Sequence, residues 1–403
     1  MTDVEGQLDN HYSDKLREEN ILFIGSYFND EIDGIYSASY SLAANNKIRG
    51  MINSLCAVGA SVTVISPISM NGDSLRFFRS RRVEDDKLGQ NIHIPATIDM
   101  YALNYILLPI FTILMVIREL YRMDYDHIFF YNYLPRTALP AFVGSFLFGV
   151  PLIIEYEDGT IYHEHRVIRT VAQVLKRVCG SRINGAICAS SGLADLAQTK
   201  NTVVVRGFPS VGFPSELPER SNEYGDTTII TFAGRFDQVR GIYIFLHMCE
   251  YLSDNWDNIE FWICGYGPEY ENVEKISKNL PDSVSFYGTV PEGEYAKKIV
   301  NSDILVNFQD PDAAISTYTF PSKLLDFMSA GKVIVTTPVS DVKTELSEFV
   351  VITENEKPVI RDTLETVIND LETHKKEALL AQQWISEECN YENTGRQLAS
   401  LLD

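Results

Sequence analysis

Tyr318-Thr-Phe-Pro-Ser-Lys-Leu-Leu-Asp326, closed by Ala330-Gly331, lies between two apolar stretches of this chain. Ile304-Leu-Val-Asn-Phe308 precedes it and Lys332-Val-Ile-Val-Thr-Thr-Pro338 follows it, and both are typical of short buried strands. Pro is favoured at the first position of a helix, a neighbouring hydroxyl such as that of Thr319 can cap the start, and Gly331 can end the helix in the left-handed conformation. The pattern predicts a short helix between two buried strands.

The start of this helix is a candidate anion site, because helix N–H groups and the helix dipole attract negative charge. Ser322 and Lys323 suit a phosphate, and Asp326, one turn further on, suits sugar hydroxyls. We expect nucleotide-sugar binding here. An ordinary capped helix of an α/β protein is the alternative.

Composition narrows the function classes. The chain has 403 residues, 45% hydrophobic and 22% charged, as in soluble globular proteins with more than one domain. A formal net charge of −21 argues against a duplex nucleic-acid binder and against bulk attraction to anionic lipid, although local basic patches can still act. Six scattered cysteines without metal-ligand spacing indicate reduced thiols in a cytosolic protein.

Two segments bear on targeting. Residues 1–20 are polar and acidic, without the apolar core of a signal peptide, and we expect a flexible tail. Tyr101–Ile117 is apolar but only 17 residues long and contains Asn104, Pro109 and Thr112, which predicts a buried or interface-seeking helix rather than a membrane span. We therefore expect a cytoplasmic protein. Any contact that it makes with the inner face of the membrane is expected to be peripheral.

Apolar strands alternate with helices along the whole chain, which predicts parallel sheets covered on both faces. The fold class expected is α/β, with two Rossmann-like domains facing across a cleft. We predict a first domain over 21–208, a Pro/Gly/Ser-rich linker over 209–225, a second domain over 226–380 and a C-terminal helix over 381–403 that crosses back to the first domain. Ligands of such sheets bind at the carboxyl ends of the strands.

In the second half, three loops follow predicted strands. Arg235 and Arg240 bracket a loop whose Gly234 and Gly241 remove bulk, and two arginines so placed suit the oxygens of one diphosphate. Gly265 and Gly267 form a tight turn without the full dinucleotide-binding spacing. The turn at Gly288-Thr-Val290-Pro291 is expected to face a nucleobase.

In the first half, Glu155-Tyr-Glu157-Asp158-Gly159 follows a buried strand, where a carboxylate can orient or deprotonate an acceptor hydroxyl. A solvated acidic loop is the alternative. Asn132, Glu157 and Arg166 are candidate acceptor-binding residues. Asp310 and Asp312 match a metal-binding pattern, but we favour a solvated loop, and no metal is expected.

Two basic patches stand out from the acidic background. Arg76, Arg79, Arg81 and Arg82 are predicted to lie in a loop, and a second set lies on a helix: Arg166, Arg169, Lys176, Arg177 and Arg182. We favour a solvated helix face for the second set over contact with lipid phosphate or a diphosphate-linked acceptor.

Taken in order, these loops resemble the retaining GT-B glycosyltransferases of family 4, over nearly the whole chain from Ile21. The segments that carry the resemblance are Ala233-Gly-Arg235, Arg240-Gly241, Gly265-Tyr-Gly-Pro268, and Pro321-Ser-Lys with Asp326 and Ala330-Gly331.

The resemblance implies a metal-independent enzyme without a cofactor, whose donor substrate is a nucleoside-diphosphate sugar and whose acceptor is a hydroxyl of a glycan or lipid-linked partner. It implies that Arg235 and Arg240 stabilise the leaving diphosphate, that Asp326 holds the ribose, and that Thr319, Phe320, Pro321 and Ser322 contact the donor through their backbone. Asp158 becomes the catalytic candidate of the first domain.

The chain departs from the family at Tyr318 and Asp326, which occupy the places of two glutamates eight positions apart. Tyr318 is therefore the expected specificity position for the donor sugar. Two alternatives stay open: a nucleotide-sugar epimerase of the same fold, and a non-catalytic GT-B subunit that binds a partner glycosyltransferase.

Overall fold

A computed structural model describes residues 19–36, 38, 41–85, 88–157 and 166–402. The chain divides into two compact units. Unit 1 is formed by Met1–Gly207 and Asn390–Asp403, and unit 2 by Phe208–Cys389. Each unit is an α/β layer structure, as the alternation of buried strands and helices predicts.

Unit 1 is built on a mainly parallel sheet. Its strands are β1 (Asn20–Ile24), β2 (Ser61–Ile65), β3 (Asp73–Phe78), β4 (Arg81–Asp85), β5 (Gln90–Ile94), β6 (Thr97–Met100), β7 (His127–Tyr131), β8 (Leu152–Tyr156), β9 (Ile183–Cys188) and β10 (Thr202–Val204). Among the described residues the main sheet has the order β10-β9-β8-β7-β1-β2-β5-β4, with only β4 antiparallel, and β3 pairs with β6 in a separate ribbon.

The helices of unit 1 are α1 (Asp30–Tyr36), α2 (Leu42–Ala57), α3 (Tyr101–Arg122), α4 (Pro135–Phe148), α5 (Arg166–Cys179), α6 (Ser191–Ala194) and, at the far end of the chain, α15 (Tyr391–Ala399). The last helix packs on α2, where Gly395 lies so close to the Ser54 carbonyl that a Cβ would come within 2.3 Å of its oxygen.

Unit 2 contains β11 (Thr228–Arg235), β12 (Ile259–Tyr266), β13 (Val284–Gly288), β14 (Ile304–Asn307), β15 (Val333–Thr336) and β16 (Val351–Ile352). Its helices are α7 (Ile242–Ser253), α8 (Tyr270–Ser277), α9 (Glu292–Asn301), α10 (Ala314–Tyr318), α11 (Lys323–Ser329), α12 (Val342–Glu345), α13 (Lys357–Asn369) and α14 (Leu371–Glu388). All strand pairs in this sheet are parallel.

The strand order of unit 2 is β13-β12-β11-β14-β15-β16, the 3-2-1-4-5-6 order of a Rossmann sheet. The order reverses between β11 and β14, and in unit 1 it reverses in the same way between β1 and β7. Loops that leave the carboxyl ends of these strands separate there and leave a crevice. The geometry of each unit therefore places its ligand site at these strand ends.

One sequence-based expectation is wrong, and one of two alternatives for the helix from Tyr101 is excluded. Arg76, Arg81 and Arg82 lie on β3 and β4, not in a loop, because these strands are largely exposed and lack the apolar run that marks a buried strand. The apolar segment from Tyr101 forms a helix of 22 residues that is mostly not buried, so the buried alternative is wrong and the interface-seeking alternative stays a prediction.

The predicted linker, 209–225, belongs to unit 2 and is bonded to it. Its Ser210 and Val211 donate to the Asp326 carboxylate, and Ser329 Oγ donates to the Gly212 carbonyl at 2.7 Å. Further along, Arg220 forms an ion pair with Asp303 at 3.0 Å. At the other end of the unit, α14 closes unit 2 and the return to unit 1 begins at Asn390, nine residues later than the boundary expected at 381.

Substitution of Gly241 tests how tightly the turn after β11 is packed. Its φ is +79°, and a Cβ there would lie 2.0 Å from the Phe308 carbonyl oxygen. Gly241→Ala should lower the free energy of unfolding of unit 2 by about 1–3 kcal/mol from backbone strain alone. Gly293→Ala, in open space on α9, is the matched control and should change it by less than about 1 kcal/mol. Equal denaturant midpoints for the two variants would contradict this packing.

Candidate functional site

Two arginines share one carboxylate at the carboxyl end of β11. Arg235 Nε lies 3.3 Å from Asp237 Oδ2, and the backbone N–H of Arg240 donates to Asp237 Oδ1 at 2.9 Å. Buried Phe236 fixes the turn between them by donating its N–H to the Tyr266 carbonyl. The sequence pointed to the arginines but not to Asp237, which lies between them and orients both ends of the loop.

The Arg240 side chain reaches across the point where the strand order reverses. Its Nη1 donates to Gln309 Oε1, and the fully buried Gln309 donates from Nε2 to Ser316 Oγ at 2.7 Å. Gln309 follows β14, so this bond joins the loops after β11 and β14. No sequence motif marks Gln309, because its role depends on the sheet order.

Lys323, the first residue of α11, completes a cluster of three cations with Arg235 and Arg240. Its Nζ lies 4.8 Å from the centre of the buried Phe232 ring and 3.4 Å from the place a Gly234 Cβ would occupy. Burial, and next the positive charge of Arg240, lower the pKa of Lys323 to about 7, and Asp237 offsets only part of this. Asp237 thus offsets positive charge at both Arg235 and Lys323, and a bound anion would relieve the remaining excess of positive charge.

Close backbone contacts surround this cluster. Gly234 and Gly265 are partners on β11 and β12, and a Cβ on Gly265 would lie 1.8 Å from the Gly234 carbonyl oxygen. Gly267 lies equally tightly against Phe236. Thr289 Oγ1 donates to the Gly265 carbonyl at 3.3 Å, which brings the Val290 turn to the same edge. The four predicted donor residues Gly234, Gly265, Gly267 and Val290 thus lie at adjacent strand ends.

The helix between β14 and β15 exists as predicted, and Gly331 follows it in the left-handed conformation with a φ of +62°. The predicted cap is wrong, because Thr319 Oγ1 donates back to the Ile315 carbonyl of α10 at 2.7 Å and no side chain caps α11. With seven residues α11 has only a small dipole, so the side-chain cations account for most of the positive potential. Phe320 and Pro321 are buried before α11, whereas Tyr318 and Ser322 are partly exposed.

The Asp326 carboxylate is buried and hydrogen-bonded to other residues of unit 2. It is 5% exposed, and its oxygens accept from Ser210 N at 2.5 Å, Ser210 Oγ at 2.8 Å, Val211 N at 3.3 Å and the Tyr295 hydroxyl at 3.1 Å. Burial raises its pKa to about 6 despite these hydrogen bonds. The carboxylate predicted to hold a ribose is saturated by the segment around Ser210, and we assign it the role of fastening that segment to α11.

Unit 1 brings a second set of polar side chains together at the ends of β1, β7 and β8. Asn132, with a φ of +51°, accepts the Glu157 N–H at 3.0 Å, and the Tyr131 hydroxyl donates to the Glu157 carboxylate. Arg136, at the start of α4, donates from Nε to Ser26 Oγ at 3.2 Å, and burial lowers its pKa. The predicted Asn132 and Glu157 are brought together, and Arg136, Tyr131 and Ser26 are additions that no motif announced.

Other candidate residues of unit 1 lie outside this cluster. Glu155 lies inside β8, fully buried, with the buried Lys47 Nζ 3.4 Å from its Oε1. Arg166 is exposed at the first residue of α5. Asp158 lies outside the described residues, so its catalytic role stays a prediction.

The Asp310–Asp312 pattern forms a local turn, in which the Asp312 N–H donates to Asp310 Oδ1 at 3.0 Å and Asn355 approaches the same oxygen at 3.4 Å. Within the described part of the chain, no group of three or more His, Cys, Asp or Glu side chains is arranged to hold a metal ion.

Comparison with known proteins identifies the class of the domain that carries this site. Residues 227–370, which include the whole cationic cluster, match the family model described as Glycosyl transferases group 1. A glycosyltransferase domain therefore occupies this segment. No curated protein sequence is a significant match to this chain.

Solved structures give the fold of this glycosyltransferase over nearly its full length. Sucrose-phosphate synthase from Thermosynechococcus elongatus superposes with a TM-score of 0.67 at 13% identity, covering 94% of this chain and 97% of its own. HepE from Anabaena, in complex with UDP and glucose, gives 0.64 at 15% identity, covering 95% and 98%. The catalytic domain of starch synthase IV from Arabidopsis thaliana, bound to ADP and acarbose, gives 0.67 at 10% identity, with the same coverages. The fold is that of the GT-B glycosyltransferases.

The role of Asp326 is testable through pH. Its folded-state pKa, about 6, lies above the ordinary value of 3.8, so the folded state binds the proton more tightly than the unfolded state. The free energy of unfolding should therefore rise as pH falls from about 7 to about 4, by on the order of 3 kcal/mol at most from this group.

Asp326→Asn should remove that increment, whereas Asp312→Asn, at an exposed aspartate, should keep it. Chemical unfolding at several pH values measures both. An Asp326→Asn variant with unchanged pH dependence of stability but weakened nucleotide binding would contradict the fastening role and restore the ribose assignment.

Proposed function

We propose that this glycosyltransferase moves a sugar from a nucleoside-diphosphate donor to a hydroxyl acceptor, with retention of configuration and without a metal ion. The observation that carries the proposal is the cluster of Arg235, Arg240 and Lys323 around Asp237, at the strand ends where the order of a Rossmann sheet reverses. Its net positive charge complements the negative charge of a diphosphate. Solved neighbours with this fold are complexes with UDP or ADP, which supports the same class of donor.

The chemistry follows from where charge develops. As the glycosidic bond of the donor breaks, negative charge accumulates on the leaving diphosphate, and preorganised cations stabilise that charge most in the transition state. Arg235 and Arg240 offer forked donors for the phosphate oxygens, and Lys323 adds a point charge from beneath them. Since these side chains supply positive charge themselves, a divalent cation is not needed for this step.

The acceptor is proposed to bind in unit 1 at the cluster of Ser26, Tyr131, Asn132, Arg136 and Glu157. Glu157 is held by Asn132 and Tyr131, and Arg136 offers a cation beside it. Hydroxyl-rich and anionic groups of a glycan or lipid-linked acceptor suit such a set. We place the enzyme in the cytoplasm, in the synthesis of a surface polysaccharide or glycolipid, on the strength of its reduced cysteines and basic patches.

Arg240 provides the direct test of the donor site. Arg240→Ala should lower kcat for nucleotide release by about 10²–10³-fold, because it removes a donor to the leaving group. Arg240→Lys should retain most activity, and Arg361→Ala, at an exposed arginine on α13, should retain all of it. Release of UDP, GDP or ADP from UDP-glucose, GDP-mannose or ADP-glucose provides the assay. Unchanged turnover in Arg240→Ala would refute the role, and an altered free sugar formed without acceptor would favour the epimerase.

Lys323 predicts a pH dependence of donor binding. Its pKa is about 7 in the ligand-free protein, and a diphosphate binds the protonated amine better than the neutral one. The affinity for a nucleoside-diphosphate sugar should therefore fall as pH rises from about 6 to about 9. The Lys323→Met variant should bind the donor weakly, and its affinity should not depend on pH in this way. The Lys323→Arg variant should bind the donor tightly, again without this pH dependence. Calorimetric Kd values at several pH values decide this, and an unchanged slope in Lys323→Met would contradict it.

A further inference from the structure

The helix α3 presents apolar side chains to the outside as well as to the protein. Its buried face combines apolar residues with three polar ones, Asn104, Thr112 and Glu119. Its outward face carries Ile106, Ile110, Leu114 and Tyr121, of which Ile106, Leu114 and Tyr121 are 62%, 60% and 84% exposed. Residues four apart lie along one side of a helix, so Ile106, Ile110 and Leu114 form one apolar stripe that ends at Arg118, with Tyr121 about one turn further on.

Among the described residues, α3 is the one helix long and apolar enough to cross a membrane by length and composition. Its inward contacts argue that it lies on unit 1 instead. Asn104 Nδ2 donates to the Ile98 carbonyl of β6 at 3.0 Å, and Glu119 Oε1 lies 3.4 Å from His93 Nδ1 of β5. A helix bonded in this way to two strands cannot be surrounded by lipid, so only its outer face is available.

The apolar surface continues onto neighbouring elements. On α4, a Cβ at Gly144 would lie 2.8 Å from both Val116 and Leu120 of α3, so the two helices pack closely. The end of α4 exposes Phe146, Leu147 and Phe148. On the other side Phe77 of β3 contacts Phe111 of α3 at 6.1 Å between ring centres and is itself half exposed. Patches of this kind on a soluble protein mark an interaction site.

The charge of these helices differs from that of the rest of the chain. Together α3, α4 and α5 carry seven basic residues (Arg118, Arg122, Arg136, Arg166, Arg169, Lys176 and Arg177) and one acidic residue, the buried Glu119, a net of +6 in a chain of net −21. Arg182, just beyond α5, lies over the exposed Phe146 ring at 5.0 Å. Apolar side chains bordered by arginines match an anionic bilayer surface, where rings and aliphatic groups enter the interface and cations meet phosphates.

We infer that the outer face of α3, with the end of α4 and the basic residues of α5, docks this enzyme in the plane of an anionic phospholipid bilayer. A second copy of the chain is the less favourable occupant, since a symmetric dimer on this face would oppose the same positive helices. The inference deepens the proposed function, in that Tyr101 and Tyr105 at the start of α3 are electrostatic neighbours of Arg136 in the acceptor cluster. The docked helix then leads from the bilayer to the acceptor site, and the acceptor is a membrane-anchored one.

Vesicle co-sedimentation without any sugar donor tests the docking separately from catalysis. The full chain should bind vesicles of phosphatidylcholine and phosphatidylglycerol at 3:1, and at least tenfold more weakly vesicles of phosphatidylcholine alone. Ile110→Glu with Leu114→Glu should weaken binding to the anionic vesicles at least tenfold. Leu379→Glu, at an equally exposed leucine on α14 of unit 2, is the matched control and should leave it unchanged.

Two further variants keep the test decisive. Ile106→Gln with Leu114→Gln removes the stripe without adding charge and should also weaken binding, with the melting temperature recording that the fold is kept. Arg169→Glu with Arg177→Glu should weaken binding to anionic vesicles only. Absence of vesicle binding by the wild-type chain, binding that survives all stripe variants, or a dimer dissolved by the same variants would overturn the inference, while the nucleotide-release assay would still report on the proposed function.

Discussion

The candidate donor site depends on one electrostatic arrangement at Asp237, whose carboxylate pairs with the Arg235 side chain, accepts from the Arg240 backbone N–H and attracts Lys323. Burial, and after it the positive charge of Arg240, disfavour the charged form of Lys323 and lower its pKa to about 7. The protein tolerates this arrangement because the surrounding backbone leaves little freedom. Gly265 packs against the Gly234 carbonyl, Gly241 against that of Phe308, and the buried Gln309 holds Arg240. A bound anion would offset this excess of positive charge, and electrostatic stabilisation of a leaving diphosphate needs such preorganised cations.

A second constraint is the set of hydrogen bonds that holds the segment around Ser210 against α11. Asp326 could have been free to meet a ligand, but Ser210, Val211 and Tyr295 occupy its oxygens. The segment expected to be a linker is thereby part of unit 2 and closes over α11. The departure from two glutamates therefore concerns two different roles. Tyr318 stays the predicted determinant of donor preference, whereas Asp326 fastens the segment around Ser210.

Much of the fold follows from the sequence because parallel strands are buried on both faces and read as continuous apolar runs. The strand predicted over Ile304–Phe308 is observed as β14, and β15 lies within the apolar run Lys332–Pro338. The exposed strands β3 and β4 were not predicted, because they bury few side chains and lack an apolar run. The outward direction of the α3 stripe also could not be read from composition, which records how apolar a helix is and not which face meets the protein. Arg136, Gln309 and Ser210 were missed because each matters only through a partner distant in the chain.

The central claim is that unit 2 binds a nucleoside diphosphate through its three cations. Calorimetric titration of the full chain with UDP, GDP and ADP at pH 6.5, without added divalent metal, tests it most directly. The account predicts one-site binding of at least one of the three nucleotides, lost when Arg235 and Arg240 are both replaced by alanine and kept when the exposed Arg361 is replaced. Absence of binding by all three, or binding that survives the double replacement, would contradict it.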